Sequence, residues 1–168
     1  LSDCRQSIPE RCLQMLSEVF RDRSIHKYYK CIVVGAMRDS KTIDGWLLKD
    51  ENTNKVQIFS KKVEGSLEIK TKYEPLATNG KYTLLKVTLL TGRSHQIRAH
   101  LASIGHPIVG DPKYGVKETK YKLKSQLLHS YRLEFPKLED PFAYLSGKSM
   151  EAPLPKDFLR VIEGESLN

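Results

Sequence analysis

Apolar positions recur along this chain in two periods, and the switches between them mark out its elements. Ile8, Cys12, Met15, Leu16, Val19 and Phe20 recur at helical spacing. Ser7 fits as an N-cap, Pro9 falls in the first turn and Glu10 completes a capping box, so a helix lying on a sheet is predicted, ending near Arg21-Asp22-Arg23-Ser24. Residues 26–34 alternate instead. Tyr29, Cys31 and Val33 point one way, with Lys27 on their side; Tyr28, Lys30, Ile32 and Val34 point the other. Residues 42–48 and 55–59 read as a hairpin around a polar cluster at 50–54. A basic, mobile loop is expected at 61–65. Residues 67–76 and 81–90 form a second hairpin, with Asn79-Gly80 at its tip.

Leu84, Leu85, Val87, Leu89 and Leu90 then arrive as a buried strand that stops at Thr91-Gly92. A short helix follows, with Ile97, Leu101 and Ile104 as its core-facing stripe and His95, Arg98 and Ala102 on another. Gly105 falls where a helix takes its left-handed closing residue, and Pro107 blocks continuation. Residues 117–124 read as an exposed lysine-rich loop, 126–135 as another strand, and 158–162 as a closing amphipathic turn. The expected fold class is α+β, with a mixed, largely antiparallel sheet and flanking helices.

Composition narrows the partners. The chain has 168 residues, which suits one domain, and no apolar run reaches membrane-spanning length. Its formal net charge of +8 favours a polyanion, and no leader segment is read at its start. Cys4, Cys12 and Cys31 are odd in number and lack metal-ligand spacing. Cys12 and Cys31 lie on apolar faces, as small buried hydrophobes do, and a reducing, cytoplasmic setting is expected.

The densest chemistry sits between the buried strand and the short helix, where Arg93, His95, Arg98 and His100 cluster at a helix start. Free N–H groups, partial positive charge and two arginines suit an anion such as a phosphate or carboxylate. The string Thr91-Gly92-Arg93-x-His95-Gln96-Ile97-Arg98-x-His100, followed by Gly105-x-Pro107-Ile108-x-Gly110-Asp111 and Tyr114-Gly115, closely resembles the signature of the RluA-type pseudouridine synthases. Lys27-x-Tyr29 at a strand start, the Leu128-His129 segment and the closing Ala152-Pro153-Leu154-Pro155 also resemble that family.

The resemblance implies a pseudouridine synthase fold, here without its N-terminal part, and an enzyme that isomerises uridine to pseudouridine in RNA. Ribosomal RNA is preferred to transfer RNA as the substrate. No cofactor, metal or membrane is implied, and a monomer is favoured. Such chemistry needs the base flipped out of its stack, an aromatic ring to receive it, and an ionised carboxylate held by an arginine. Tyr29 is implied as the stacking ring and candidate proton acceptor, and Arg98 as the partner of the catalytic aspartate. Lys27, Arg93, His95, Gln96 and His100 are implied to line the site or contact RNA.

The family's aspartate lies in a His-Arg-Leu-Asp-Arg motif shortly before the first helix, and this sequence contains none. Asp3 lacks the flanking Arg-Leu and falls past the expected position. Residues 1–168 are therefore expected to be a single partial catalytic domain that starts just after the aspartate motif, inactive alone, from an active parent. A non-catalytic RNA-binding module is the alternative. A metal hydrolase built on His95, His100, His106 and Asp111 is disfavoured, because His95 and His100 are five apart rather than four. A Cys-His nucleophile is disfavoured by the apolar setting of the cysteines.

Overall fold

The first described strand is covered on both faces, and the rest of the fold is arranged about it. The structure is a computed structural model that describes residues 25–115 and 120–168, together with 14, 17 and 18. Strand β1 (His26–Val34) carries Cys31 and Val33 into one buried layer and Ile32 into the other. Its C-terminal half is accordingly a continuous apolar run. Six further strands complete the sheet: β2 (Lys41–Asp50), β3 (Lys55–Phe59), β4 (Leu67–Thr78), β5 (Tyr82–Leu89), β6 (Leu128–Glu134) and β7 (Ser149–Glu151). Their spatial order is β3-β2-β4-β5-β1-β6-β7, and every pairing between these strands is antiparallel. The sheet is thus antiparallel throughout the described residues rather than mixed.

Both expected hairpins form. In the β2–β3 turn the Asp50 carboxylate accepts from the Asn52 and Thr53 amides and from the Thr53 hydroxyl. At the β4–β5 tip Asn79 Oδ1 accepts from the amides of Lys81 and Tyr82, at 3.0 and 2.8 Å. Strand β4 runs past Leu76, because a bulge between Pro75 and Ala77 absorbs a residue. A proline lacks the ladder N–H, and a bulge is where a strand tolerates one. The basic loop at 61–65 is pinned at its end by the buried Ser66, whose hydroxyl bonds back to the amide and carbonyl of Val63.

Among the described residues, two helices with defined bounds pack on the sheet. Ile97 and Leu101 of α1 (Gln96–Ser103) pack on Cys31, Val33, Leu85 and Val87. Phe158, Val161 and Ile162 of α2 (Lys156–Gly164) pack on Ile32, Tyr82 and Leu84. The helices therefore lie on opposite faces. The chain crosses between the faces at Ile108-Val109, where Ile108 joins the first cluster and Val109 the second. There the Val109 amide donates to Ile32 O and the Val34 amide to Pro107 O, both at 2.9 Å, extending the pairing of β1 beyond the end of β6.

Helix α1 closes as its sequence predicts. Gly105 takes φ +86°, its amide donates to Ala102 O, and the His106 amide donates to Leu101 O. Ile104 departs from the expected stripe. It is the C-cap residue, beyond the last helical turn, and is 37% exposed.

Of the expected N-terminal helix, Gln14, Ser17 and Glu18 are helical and exposed. Its capping box, Cys4 and Cys12 lie outside the described residues, as do residues 117–119 of the lysine-rich loop. Cys31 is a free, fully buried cysteine, and burial pushes its thiol pKa up, as expected of a packing group. Among the described residues no helix is long and apolar enough to cross a membrane.

Candidate active site

The site is assembled on the α1 face of the sheet by the turn after β5, the first turns of α1, and the loop at 111–115. The β5–α1 turn is short and polar, so its backbone groups need partners, and one side chain supplies most of them. Gln96 Oε1 accepts from the Arg93 amide and the Thr91 hydroxyl, each at 3.0 Å. Its Nε2 donates to Lys70 O and to Thr71 Oγ1, each also at 3.0 Å. All four hydrogen-bonding positions of the amide are thereby filled, and the residue is 2% exposed. Thr71 Oγ1, accepting from Gln96, lies 3.0 Å from Nδ1 of His100, which is likewise 2% exposed. Burial lowers the His100 pKa, so the ring stays neutral.

These facts correct two expectations. Gln96 and His100 lock the turn and helix onto β4, and neither offers a polar atom to RNA. Helical position alone could not reveal this, because their partners Lys70 and Thr71 come from a strand some twenty-five residues away in sequence.

Arg98 points the other way. Its Nε and Nη2 donate to Oδ2 and Oδ1 of Asp111 at 2.8 and 2.7 Å, a bidentate fork. The Asp111 side chain has no exposure, and its Oδ1 also accepts from the amides of Lys113 and Tyr114. Burial alone would raise the Asp111 pKa, but the Arg98 fork and the two amides outweigh it and hold the carboxyl below its usual value. The same fork raises the Arg98 pKa. Among the described residues the carboxylate facing Arg98 is thus Asp111, which sequence reasoning had noted only as a motif position and metal candidate. Its Oδ1 accepts three hydrogen bonds and its Oδ2 one, and with no exposure the side chain is suited to hold Arg98 rather than to reach a substrate. The fork uses one edge of the guanidinium and leaves the Nη1 side for a second partner.

Tyr114 completes the setting of Arg98, whose guanidinium carbon sits 5.3 Å from the ring centroid. The Tyr114 hydroxyl accepts from the Val56 amide on β3 and lies 2.9 Å from His95 Nδ1. The tautomer of His95 decides which of this pair donates. Burial, then the charges of Arg98 and Lys113, lower the His95 pKa and favour a neutral ring. His95 itself is the helix N-cap, in the left-handed region at φ +55°. The loop carrying Asp111 and Tyr114 depends on Gly115. A Cβ there would meet Ile108 O at 2.7 Å and the Asp111 carbonyl at 2.9 Å.

Tyr29 is half-buried on the α1 face and packs against the cluster that contains Ile97 and Leu101. Burial raises its pKa, against the opposing effect of a hydrogen bond with Ser130. Lys27, on the same side of β1, lines a cavity of about 130 Å³ together with Ile25, Leu89, Leu90, Thr91 and Gly92. The first strand and the arginine-bearing turn therefore border one space. Arg93 is half-exposed, and its Nε is shielded without a hydrogen-bond partner among the described residues. His106 bonds the Val34 carbonyl, so His95, His100 and His106 face three different partners. Among the described residues no three metal-ligating side chains converge.

Comparison with known proteins identifies the family. The family model described as RNA pseudouridylate synthase matches residues 10–103. An uncharacterized RNA pseudouridine synthase of Chloroflexus aurantiacus is 36% identical over 155 residues, covering 91% of this chain and 46% of that protein. The ribosomal large subunit pseudouridine synthase D of Borreliella burgdorferi is 31% identical over 148 residues, covering 88% and 43%. The chain thus spans about half the length of the curated relatives it matches. The structure of human RNA Pseudouridylate Synthase Domain Containing 4 superposes with a TM-score of 0.75 at 21% identity, covering 96% of this chain and 69% of that one, and shares the fold. With a family model matched over more than half its length and relatives of the RluA class, this chain belongs to the RNA pseudouridylate synthase family, in its RluA-type branch.

Proposed function

We propose that the full-length protein isomerises uridine to pseudouridine in RNA, with ribosomal RNA as the substrate and the cytoplasm as its setting. The observation that carries this reading is Arg98. It is fixed by Asp111 and Tyr114, yet one edge of its guanidinium remains available on the sheet face that also presents Tyr29. In this reading Arg98 orients a second carboxylate, the nucleophile, and keeps it ionised in a sheltered site. In this reading Asp111 is not that nucleophile, because its side chain is wholly buried and has no exposed face for a substrate. The flipped uracil stacks on Tyr29, recovering roughly 1–3 kcal/mol of the unstacking cost. The raised pKa of Tyr29 keeps it a phenol at neutral pH, which favours stacking over action as a phenolate base. In this reading Arg93, Lys27 and His95 meet RNA phosphate or base edges.

Residues 1–168 contain no Arg-Leu-Asp sequence, so this segment alone is expected to be inactive. The test is to assay the full-length protein and the segment on unmodified ribosomal and transfer RNA, mapping pseudouridine by carbodiimide labelling. Turnover on ribosomal RNA by the full-length protein, abolished by Arg98→Ala, supports the reading. RNA binding without turnover, or turnover that survives Arg98→Ala, overturns it; the former leaves a binding module.

A further inference from the structure

On the α2 side of the fold, Lys120, Lys122, Lys124 and Arg160 surround a concavity of about 280 Å³, with Asp157 as the acidic residue among its lining. We propose that this concavity binds the phosphate backbone of RNA flanking the target uridine, a proposal that rests on the RNA-modifying reading above.

The surface is built, rather than a loose run of charge. Tyr121 is buried with Phe158 and Val161 in the α2 cluster, and its hydroxyl donates to Glu165 Oε1 at 2.7 Å. The same oxygen accepts from Lys120 Nζ, which sits 4.7 Å from the Tyr121 ring centroid. Arg160 Nη2 donates to the Tyr121 carbonyl at 2.8 Å and to Asp157 at 2.9 Å. Two cations are thus fixed at the walls. Lys122 and Lys124 are exposed, and among the described residues neither pairs with a carboxylate.

Position ties this surface to the candidate site. A Cβ on Gly110 would lie 2.7 Å from Ser125 O and 3.0 Å from the Leu123 side chain, so the basic loop packs against the residue preceding Asp111. One chain segment therefore holds Arg98 on one side of the sheet and the lysines on the other. The chemistry favours a polyphosphate backbone over an acidic protein. Four cations line the rim, and Tyr121 is the apolar lining residue but is engaged in the core. A protein partner would need a desolvated apolar anchor there, whereas phosphate contacts need only directed positive charge.

The experiment is RNA binding by the full-length protein and by Lys122→Glu/Lys124→Glu, with Lys122→Gln/Lys124→Gln as a milder pair. Two RNAs are used: a long ribosomal fragment, and a short oligonucleotide that covers only the modified uridine. The charge-reversed protein is expected to bind the long fragment about tenfold or more weakly, with a salt slope shallower by roughly one to two. The glutamine pair should lie between, and binding of the short oligonucleotide should be unchanged. Polyglutamate at matched charge should compete poorly. Unchanged affinity and slope for the long RNA, or polyglutamate competing as well as RNA, overturns this proposal alone. A wild-type protein that binds no RNA overturns it together with the reading it rests on.

Discussion

Arg98 and Asp111 are joined by two parallel hydrogen bonds of 2.8 and 2.7 Å, between an α-helix and a loop that share no strand. The carboxylate is wholly buried and the guanidinium side chain is 14% exposed. Such a pair resists the loss of either member, because the survivor is left charged and poorly solvated. Asp111→Ala should destabilise the fold by about 3–5 kcal/mol, read from urea unfolding at neutral pH. A loss below about 1 kcal/mol would mean that the loop holds Arg98 without the carboxylate.

Gln96 offers a second test, in a neutral setting. Its side chain joins the 91–93 turn to β4 through four hydrogen bonds. Gln96→Ala strands the Arg93 amide and leaves a void, so a cost of about 2–4 kcal/mol is expected. Gln96→Glu exchanges two donors for acceptors facing Lys70 O and Thr71 Oγ1, and should be at least as harmful. If Gln96→Ala were stable but bound RNA poorly, its role would lie at the interface after all.

Two glycines of the signature are expected to behave oppositely. A Cβ on Gly115 would collide with the Ile108 carbonyl, while one on Gly92 meets nothing within 4 Å. Gly115→Ala should lower stability by about 1–3 kcal/mol through forced backbone movement, whereas Gly92→Ala should leave the melting temperature nearly unchanged. Similar melting temperatures for the two variants would contradict the packing of the 111–115 loop.

Acid should weaken the fold in two stages. His95 and His100 have lowered pKa values, chiefly through burial. Below the ordinary histidine value of about 6.5, the unfolded chain takes up protons that the folded chain refuses. Unfolding free energy should therefore fall as pH drops from about 7 to 5. Asp111 adds a separate loss at lower pH. Its folded pKa lies below the ordinary carboxylate value of about 3.9, so the stability it gives disappears as pH falls through that range. Urea unfolding at a series of pH values checks both stages, and constant stability between pH 7 and 5 would sink the histidine assignment.

The local rules of the chain were enough to place most elements. Strict alternation set β1 and its faces, Asn79-Gly80 set the β4–β5 turn, and Gly105 set the end of α1, because each depends on contacts within a few residues. The signature string was likewise enough for the family. Side-chain roles within that string were not legible. Gln96 and His100 read as candidate RNA contacts until β4 arrived beneath them with Lys70 and Thr71. For Arg98 the sequence suggested a carboxylate partner but not that the 111–115 loop folds back to supply Asp111 and Tyr114 as well. Periodicity says which way a residue points relative to its own helix or strand. Which donor meets which acceptor is decided where distant segments pack, and there burial forces every polar atom to find a partner.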